Sequence, residues 1–238
     1  MVIGNGLMAK AFLQFNEDDS VIIFASGVSN SSQTAEEEYK REKALLHTCF
    51  SKKTKLIYFS TCSITDESIH HTRYIHHKLE MENLIKENQD SYLVLRLPNV
   101  VGKSPNPHTL TNFIYNQIIS SHSFQVYAHS CRYLIDVDDV VNIISVLLNN
   151  KNINNEIINV AFNNRINTIE LVNLFEEVLS TRAQYELVNK GACYSIDNSR
   201  IKELIGEINF KTPEKYNINL LRKYYGILKT EFVKEKIK

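Results

Sequence analysis

The chain has 238 residues, 43% of them hydrophobic, and its 27 basic and 27 acidic side chains balance to a formal net charge of zero. This length and composition exclude a disordered chain and predict one domain, or one domain with a smaller appendage. The balanced charge and the lack of an apolar run of about 20 residues argue against binding to nucleic acid or to a membrane, so we expect a cytoplasmic protein with a small-molecule partner.

The first half of the sequence alternates short apolar strands with helices. Residues 1–15 predict a very short strand, a Gly-x-Gly turn and an apolar helix. We then predict strands over 20–26, 54–61 and 91–98, and helices over 35–50 and 73–88. The strands are apolar throughout, which is typical of a parallel sheet covered by helices on both faces. In such a sheet, ligands bind beyond the carboxyl ends of the strands.

The second half has a less regular rhythm. Helices are predicted over 109–121 and, opened by a Thr or Asn cap, over 167–180. A short extended piece runs into a helix within 133–150, and a strand covers 156–162. The simplest organisation is a small C-terminal lobe placed over the sheet.

The glycine turn has the pattern G-x-G-x-x-A, formed by Gly4, Gly6 and Ala9 between a strand and a helix. Glycine permits the tight turn and lets a pyrophosphate approach the backbone N–H groups at the start of a helix. A plain strand-to-helix turn is the alternative. The acidic residue expected about 20 positions later, which would bind an adenosine ribose, is not evident, because Asp18 and Asp19 precede the second strand.

A tyrosine and a lysine four residues apart begin the helix that follows the third strand. Lys78 lies one turn after Tyr74 on the same face, and Thr61 ends the preceding strand. A phenol is a poor proton donor or acceptor near neutral pH unless a nearby cation favours its ionised form, and Lys78 can supply that cation. Thr61 could hold the reacting oxygen of a substrate against the phenol.

The same Tyr-to-Lys spacing occurs twice more, so position in the fold must distinguish the three pairs. Tyr39 and Lys43 lie on an earlier helix that has no hydroxyl like that of Thr61 beside it. Tyr225 and Lys229 lie in the C-terminal tail. Only the pair after the third strand is correctly placed for chemistry.

Six segments, in this order, resemble the extended short-chain dehydrogenase/reductase family, specifically its nucleotide-sugar epimerases, dehydratases and reductases. The resemblance runs over nearly the entire chain, and its specific signal is the shared order of the segments. They are GNGLMA at 4–9, FASGVSNS at 24–31, FSTCSI at 59–64 followed by the Tyr74–Lys78 pair, RLPNVVG at 96–102, CRYLIDVDDVV at 131–141 and YSIDNSRIKELIG at 194–206.

The resemblance implies a role for each matched position. Tyr74 would act as the acid/base, Lys78 would lower its pKa and bind ribose, and Thr61 would orient the reacting oxygen. Asn99 and Arg132 would face a nucleotide-sugar substrate, although Arg132 could instead form a surface ion pair with Asp136 or Asp138. An NADP or NAD cofactor would contact Gly4, Gly6, Leu7, Met8, Ala25, Ser26, Gly27, Lys78 and Pro98.

The implied fold is a Rossmann-like parallel sheet with helices on both faces, occupying 1–160 with an excursion around 103–132, plus a substrate-binding lobe over 161–238. A homodimer formed through two helices beside the sheet is also implied. Family members usually carry two further strand-helix units after the glycine turn, and this chain lacks them. The sheet should therefore be reduced on the adenosine side, with its first strand near an edge. A right-handed connection to the second strand would then move the first helix to the opposite face.

The same resemblance narrows the reaction. Dehydratases of the family carry an Asp-Glu pair where this chain has Cys62 and Ser63, so dehydration is disfavoured. We expect reduction of a nucleotide-linked keto-sugar, with C4 as the favoured position, because an epimerase must hold its cofactor through oxidation and re-reduction. The alternatives are an epimerase with bound NAD and a non-catalytic member that binds a nucleotide sugar.

Neither the histidines nor the cysteines predict a metal site. Four histidines cluster near the Tyr74–Lys78 pair, but no ligand spacing is completed, and surface or substrate-contacting roles are favoured; these are His70, His71, His76 and His77. The four scattered cysteines resemble neither a disulfide framework nor a zinc site, so we expect reduced thiols at Cys49, Cys62, Cys131 and Cys193.

Overall fold

A five-stranded parallel sheet, with helices on both faces, forms the centre of the computed structural model, which describes residues 1–150, 152–206 and 215–226. The strands are β1 (Val2–Ile3), β2 (Val21–Phe24), β3 (Lys55–Thr61), β4 (Tyr92–Leu97), β5 (Asn99–Val101), β6 (Phe124–Tyr127), β7 (Cys131–Arg132), β8 (Leu134–Asp136), β9 (Glu156–Asn159), β10 (Ile166–Asn167) and β11 (Tyr185–Val188). The helices are α1 (Leu7–Ala11), α2 (Glu36–His47), α3 (Arg73–Asn88), α4 (Leu110–Ile119), α5 (Val137–Asn149), α6 (Thr168–Leu179), α7 (Ser199–Ile205) and α8 (Tyr216–Tyr225).

The strand order of the central sheet is β1-β2-β3-β4-β9, and every pair in it is parallel. The predicted α/β fold with a parallel sheet is therefore confirmed, and so is the expectation that the first strand lies at an edge. Thr61 pairs with Leu97 at the carboxyl ends of β3 and β4. The carboxyl ends of β2, β3 and β4 thus form one continuous rim on which a site can be built.

The two faces of the sheet bury separate apolar clusters, because successive strand side chains point to opposite faces. On one face, Ile22 and Tyr58 pack with Leu46 of α2 and Met81 of α3. The other face buries apolar side chains of β2, β3 and β4 beneath α5 and α7, together with Phe12, which directly follows α1. Both surfaces of each central strand are thereby removed from water, as their continuous apolar sequence requires.

The connection from β1 to β2 has the opposite hand to the two connections that follow it. All three steps move in the same direction across the sheet, yet α1 lies on the face of α5 whereas α2 and α3 lie on the other face. Because nearly all such crossovers are right-handed, β1–α1–β2 is the exceptional, left-handed connection. The first helix therefore lies on the same face as α5, whereas a right-handed connection would have placed it on the face of α2 and α3.

A third apolar cluster lies outside the sheet and joins α4, β6, α6 and α8 through residues such as Ile114, Phe124, Phe175 and Leu221. The sequence predicted α4 and α6 but not β6, β11 or α8. Asn167 is the cap of α6, where it forms a capping box with Glu170. The division into a cofactor domain and a substrate lobe at residue 160 stays a prediction.

The expectation of four reduced thiols was wrong for one pair. Cys131 and Cys193 form a disulfide, with their Cα atoms 4.6 Å apart, whereas Cys49 and Cys62 are free and buried. The two bonded residues are 62 positions apart in sequence. Only the folding of the 189–198 loop back onto β7 brings them together, and spacing carries no signal of that. Within the part of the chain described, no helix is long and apolar enough to cross a bilayer.

Candidate active site

The candidate site is built where β2 and β3 end and α3 begins. Thr61 is the last residue of β3, and Ala25, Ser26 and Gly27 directly follow β2. The hydroxyl of Thr72 caps α3 by accepting a hydrogen bond from the backbone N–H of Ile75. The cap fixes where α3 starts and so places the first turn of the helix at the rim of the sheet.

The side chains of Tyr74, Thr61 and Lys78 converge at this rim. All three are buried, and the Lys78 ammonium lies 6.0 Å from the centre of the Tyr74 ring. Burial raises the pKa of the Tyr74 phenol well above its usual value, while the neighbouring Thr61 hydroxyl acts to lower this pKa. The phenol is therefore protonated at neutral pH, and its proton is available for transfer to a substrate oxygen.

Lys78 does not stand free beside Tyr74, because its ammonium is held by a buried carboxylate. Its Nζ donates to Oε1 of Glu42 at 3.0 Å and to the hydroxyl of Tyr58 at 3.1 Å. The Oε2 atom of Glu42 accepts the backbone N–H of Val28 at 2.6 Å and lies 3.0 Å from Nε2 of His77. The pKa of Glu42 falls to about 2, because these partners outweigh the effect of burial.

Two glycines make close contacts around this cluster. A Cβ atom on Gly27 would lie 2.7 Å from Nζ of Lys78, so a larger residue there would require the ammonium to shift. Gly4 has a φ of +128°, and a Cβ there would lie 2.4 Å from the carbonyl oxygen of Ala25. The glycine turn and the end of β2 are therefore fitted closely together.

Gly6 differs from these glycines, since a Cβ atom placed on it would meet nothing within 4 Å. Open space therefore lies beside the glycine turn, where the sequence predicted that a pyrophosphate would bind. Leu7 lies against Gly102, and Met8 packs against the apolar cluster beneath the sheet. Because both side chains are packed, only the backbone N–H groups of Leu7 and Met8 could contact a phosphate.

The residues present fit one half of a dinucleotide. The glycine turn, with open space at Gly6, would hold the pyrophosphate, and Lys78 beside Gly27 would hold the nicotinamide ribose. Among the described residues, β2 is the only strand that pairs with β1, so no further strand of the sheet extends to the adenosine side. The expectation of a sheet reduced on that side agrees with this arrangement.

Asn99 and Pro98 lie at the carboxyl end of β4. The backbone N–H and the side-chain amide of Asn99 both donate to the carbonyl oxygen of Tyr133, at 3.1 Å each. Pro98, which cannot donate, separates β4 from β5 and lets the chain leave the sheet at this point. Asn99 is thus fixed to the strand that follows Arg132.

Arg132 does not form the surface ion pair that the sequence left open as an alternative. Asp136 and Asp138 both accept from Nζ of Lys223, at 2.6 and 2.7 Å. In the described residues, Arg132 has no carboxylate partner, and its Nη1 donates to the carbonyl oxygen of Cys131. Burial raises the pKa of the Tyr194 phenol to about 12, and the guanidinium charge of Arg132 acts in the opposite direction.

The two other Tyr-to-Lys pairs are used elsewhere. The Tyr39 hydroxyl donates to the backbone carbonyl of Gln33, and Lys43 forms an ion pair with Glu80. Tyr225 lies on α8, and its hydroxyl contacts the side chains of two α4 residues, Thr111 and Asn112. Its spacing partner, Lys229, lies outside the described residues.

Cys62 and Ser63 stand where a dehydratase-like acid and base would be needed. Burial raises the pKa of the Cys62 thiol to about 12, and its Sγ donates to the carbonyl oxygen of Arg96 at 3.1 Å. The thiol therefore stays neutral and engaged with the backbone. That dehydration is disfavoured stays a prediction.

The histidines are divided between the surface and the interior. His70, His71 and His76 are exposed, whereas His77 is buried against Glu42, which the sequence did not predict. Among the described residues, no three His, Cys, Asp or Glu side chains come together in a way that could hold a metal ion.

Glu42 is the component of the site that sequence reasoning missed. A signal for it exists: Glu42 follows Tyr39 by three residues and precedes Leu46 by four, so a carboxylate occupies the apolar face of α2. A charged residue at such a position must have a buried partner. The partner could not be identified without knowing that α2 lies beside α3.

Residues 5–161 match the model of a protein family described as the NAD dependent epimerase/dehydratase family. Among curated proteins, none matches the sequence significantly. The match begins within the glycine turn and ends just after β9, so it covers every strand of the central sheet except β1. It includes Thr61, Tyr74, Lys78 and Arg132.

Several solved structures have a similar fold. A UDP-glucuronic acid 4-epimerase from Bacillus cereus, in complex with UDP-glucuronic acid and NAD, is 17% identical over 92% of this chain and 79% of its own, with a TM-score of 0.67. A UDP-glucose 4-epimerase from Thermotoga maritima with UDP-glucose is 16% identical over 98% and 83%, with a TM-score of 0.67. A double mutant of a dTDP-glucose 4,6-dehydratase from Streptomyces venezuelae is 15% identical over 90% and 77%, with a TM-score of 0.68. At these identities, the similarity shows the fold alone.

Proposed function

This chain belongs to the NAD-dependent epimerase/dehydratase family, and we propose that it is an epimerase that inverts a hydroxyl-bearing carbon of a nucleotide-linked sugar. The observation that supports the proposal is the convergence of Thr61, Tyr74 and Lys78 at the rim where β2 and β3 end. That rim is where ligands of parallel sheets bind. The similar structures that carry UDP-sugars are mostly epimerases, which favours epimerisation over the reduction expected from the sequence.

Each residue of the site has a defined task in this proposal. A bound NAD, held by the glycine turn, Gly27 and Lys78, would supply reversible hydride transfer at the sugar carbon. Tyr74 moves the proton of the attached hydroxyl, and Thr61 holds that oxygen toward the phenol. Lys78, whose ammonium is paired with Glu42, would be in reach of ribose hydroxyls beneath Gly27.

The substrate side of the proposal depends on Arg132. Its guanidinium has no carboxylate partner among the described residues, and guanidinium groups bind phosphate oxygens through two parallel hydrogen bonds. We assign it to the diphosphate of the nucleotide. Asn99, held to the neighbouring strand, lies at the same rim. A homodimer that uses two helices beside the sheet remains a prediction.

Reduction of a keto-sugar is the second candidate, and two observations favour it. The Tyr74 phenol is protonated in the resting site, which suits proton donation to a carbonyl as the first step. The sheet also has no described strand beyond β1 to support an adenosine pocket, which suits a cofactor that exchanges after each turnover.

One experiment separates these candidates. The purified protein is tested for released NAD and is then incubated with UDP-glucose, UDP-N-acetylglucosamine, UDP-glucuronic acid and dTDP-glucose, with and without added NAD. Formation of the epimer without net cofactor consumption supports the first candidate. Stoichiometric oxidation of NADH or NADPH with a nucleotide-linked keto-sugar supports the second. The absence of both reactions with all of these sugars would refute both candidates.

Two matched tyrosine variants test the assignment of the acid/base. Tyr74→Phe removes the phenolic proton and should abolish turnover while the fold is kept. Tyr39→Phe is the control, because Tyr39 is also buried on a helix four residues before a lysine but its hydroxyl serves the backbone of Gln33. Equal loss of activity in both variants would remove Tyr74 from its role.

A further inference from the structure

The carboxylate of Glu42 lies at the centre of the buried polar cluster beneath the site. It is completely inaccessible to solvent, and it accepts or contacts four groups at 2.6 to 3.0 Å. Oε1 serves the Tyr58 hydroxyl and Lys78, and Oε2 serves the Val28 N–H and His77. One carboxylate therefore joins the loop after β2 to the lysine of α3.

Packing alone does not account for a carboxylate at this position. Replacing a buried ion pair by apolar side chains of similar size is often neutral or stabilising, because both charges must be removed from water. The helix α2 already buries Tyr39 and Leu46 on the same face, and an apolar residue at position 42 would continue that face. The charge is instead placed next to the ammonium that the proposed reaction uses.

We propose that Glu42 is a positioning residue for the proposed hydride transfer, whose carboxylate fixes the Lys78 ammonium beneath Gly27 and offsets its charge at the Tyr74 phenol. The proposal rests on the proposed function insofar as Tyr74 is the group that transfers the proton. Without the carboxylate, the full charge of Lys78 would act on the phenol ring from 6.0 Å and favour its ionised form.

Polar and charged groups from β3, α2 and α3 surround the cluster. The polar and charged groups that face the Glu42 carboxylate are Tyr58 from β3 and His77 and Lys78 from α3. Those around the Tyr74 phenol are Thr61 from β3 and Glu42 and Tyr39 from α2, which act on its pKa, and Lys78 from α3, whose ammonium lies 6.0 Å from the centre of the ring. Lys78 is the one cation in this second set, and Glu42 is its carboxylate partner.

The test measures the ionisation of Tyr74 directly. Protein labelled with fluorotyrosine is titrated and followed by fluorine NMR, and the Tyr74 signal is assigned by its loss in Tyr74→Phe. In Glu42→Gln, the midpoint of the Tyr74 titration should fall by on the order of one pH unit or more, which is a tenfold or greater change in its ionisation constant. Glu42→Asp, which keeps the charge, should restore most of the original midpoint.

Glu82→Gln is the matched control, because Glu82 is equally buried but its carboxylate binds Ser60 and Arg96. It should leave the midpoint of Tyr74 unchanged. An unchanged midpoint in Glu42→Gln, or an equal fall in Glu82→Gln, would overturn the proposal.

A double variant keeps the proposal testable if Glu42→Gln does not fold. Glu42→Gln combined with Lys78→Met removes both charges, so the midpoint of the Tyr74 titration should stay near that of the wild type. A marked rise would show that the charge of Lys78 lowers this midpoint in the wild type without being offset by Glu42, and it would overturn the proposal. The titration needs no substrate, so it also distinguishes failure of this inference from failure of the proposed function. If the sugar assays succeed, the pH profile of kcat should move in the same direction as the midpoint.

Discussion

Acidification should selectively destabilise the protein through Glu42, and the magnitude follows from the pKa of this residue. The pKa falls from an ordinary value of 4.5 to about 2 in the folded protein. At roughly 1.4 kcal/mol per pH unit, the ionised carboxylate contributes about 3 kcal/mol to the free energy of unfolding at neutral pH, relative to the protonated form of Glu42. Because the folded pKa is the lower one, this contribution is complete above pH 4.5 and is lost as the pH falls toward 2. About 2 kcal/mol of it should be gone at about pH 3.

The assay is urea unfolding of the wild type and of Glu42→Gln at a series of pH values between about 3 and 7. Other carboxylates, such as Glu36 and Glu80, also have a lowered pKa and will destabilise both proteins in acid. The difference between the two free energies of unfolding cancels that common effect. This difference should shrink by about 2 kcal/mol between neutral pH and about pH 3. A difference that stays constant with pH would refute the reasoning, because Glu42 would then have the same pKa folded and unfolded.

Three further predictions follow from the contacts of single residues. Gly4→Ala should lower the free energy of unfolding by roughly 2 kcal/mol or more, because φ is +128° and the new Cβ meets backbone atoms. Gly6→Ala should unfold like the wild type, but calorimetry should show that it binds NAD at least about tenfold more weakly. Arg132→Met should weaken UDP binding by about tenfold to a hundredfold and reduce its dependence on salt; unchanged affinity would remove Arg132 from the diphosphate site. Alkylation of the denatured, unreduced protein should modify two of the four cysteines, with Cys131 and Cys193 protected until reductant is added, and modification of all four would contradict the disulfide.

The central sheet could be predicted from the sequence because its signals are local. Continuous apolar runs bounded by turns marked β2, β3 and β4, and the end of one such run was enough to place Thr61 at the end of a strand. The choice of Tyr74 over Tyr39 followed from the same reasoning. The edge position of β1 followed from counting the strand-helix units that the chain lacks.

What the sequence could not reveal depends on how distant segments meet. Glu42 and Lys78 are 36 residues apart, and their pairing requires α2 and α3 to lie side by side. The disulfide depends on the path of a loop, and the parallel pairing of β6 with β11 joins segments about 60 residues apart whose alternating pattern is weak. The hand of the first connection is a global property, for which a two-residue strand and a five-residue helix carry no local signal.

The shortness of β1 has a consequence for how the glycine turn moves. Only two residues pair with β2, and among the described residues no strand covers the other side of β1. So short an edge offers little backbone for another chain to extend the sheet. Few backbone hydrogen bonds hold β1, and with it the glycine turn, to the rest of the sheet. Local opening of the turn should therefore need far less free energy than local opening of β3. Amide hydrogens of the turn should therefore exchange with solvent early, and their slowing on addition of NAD would report occupancy of the site even in a variant that performs no chemistry.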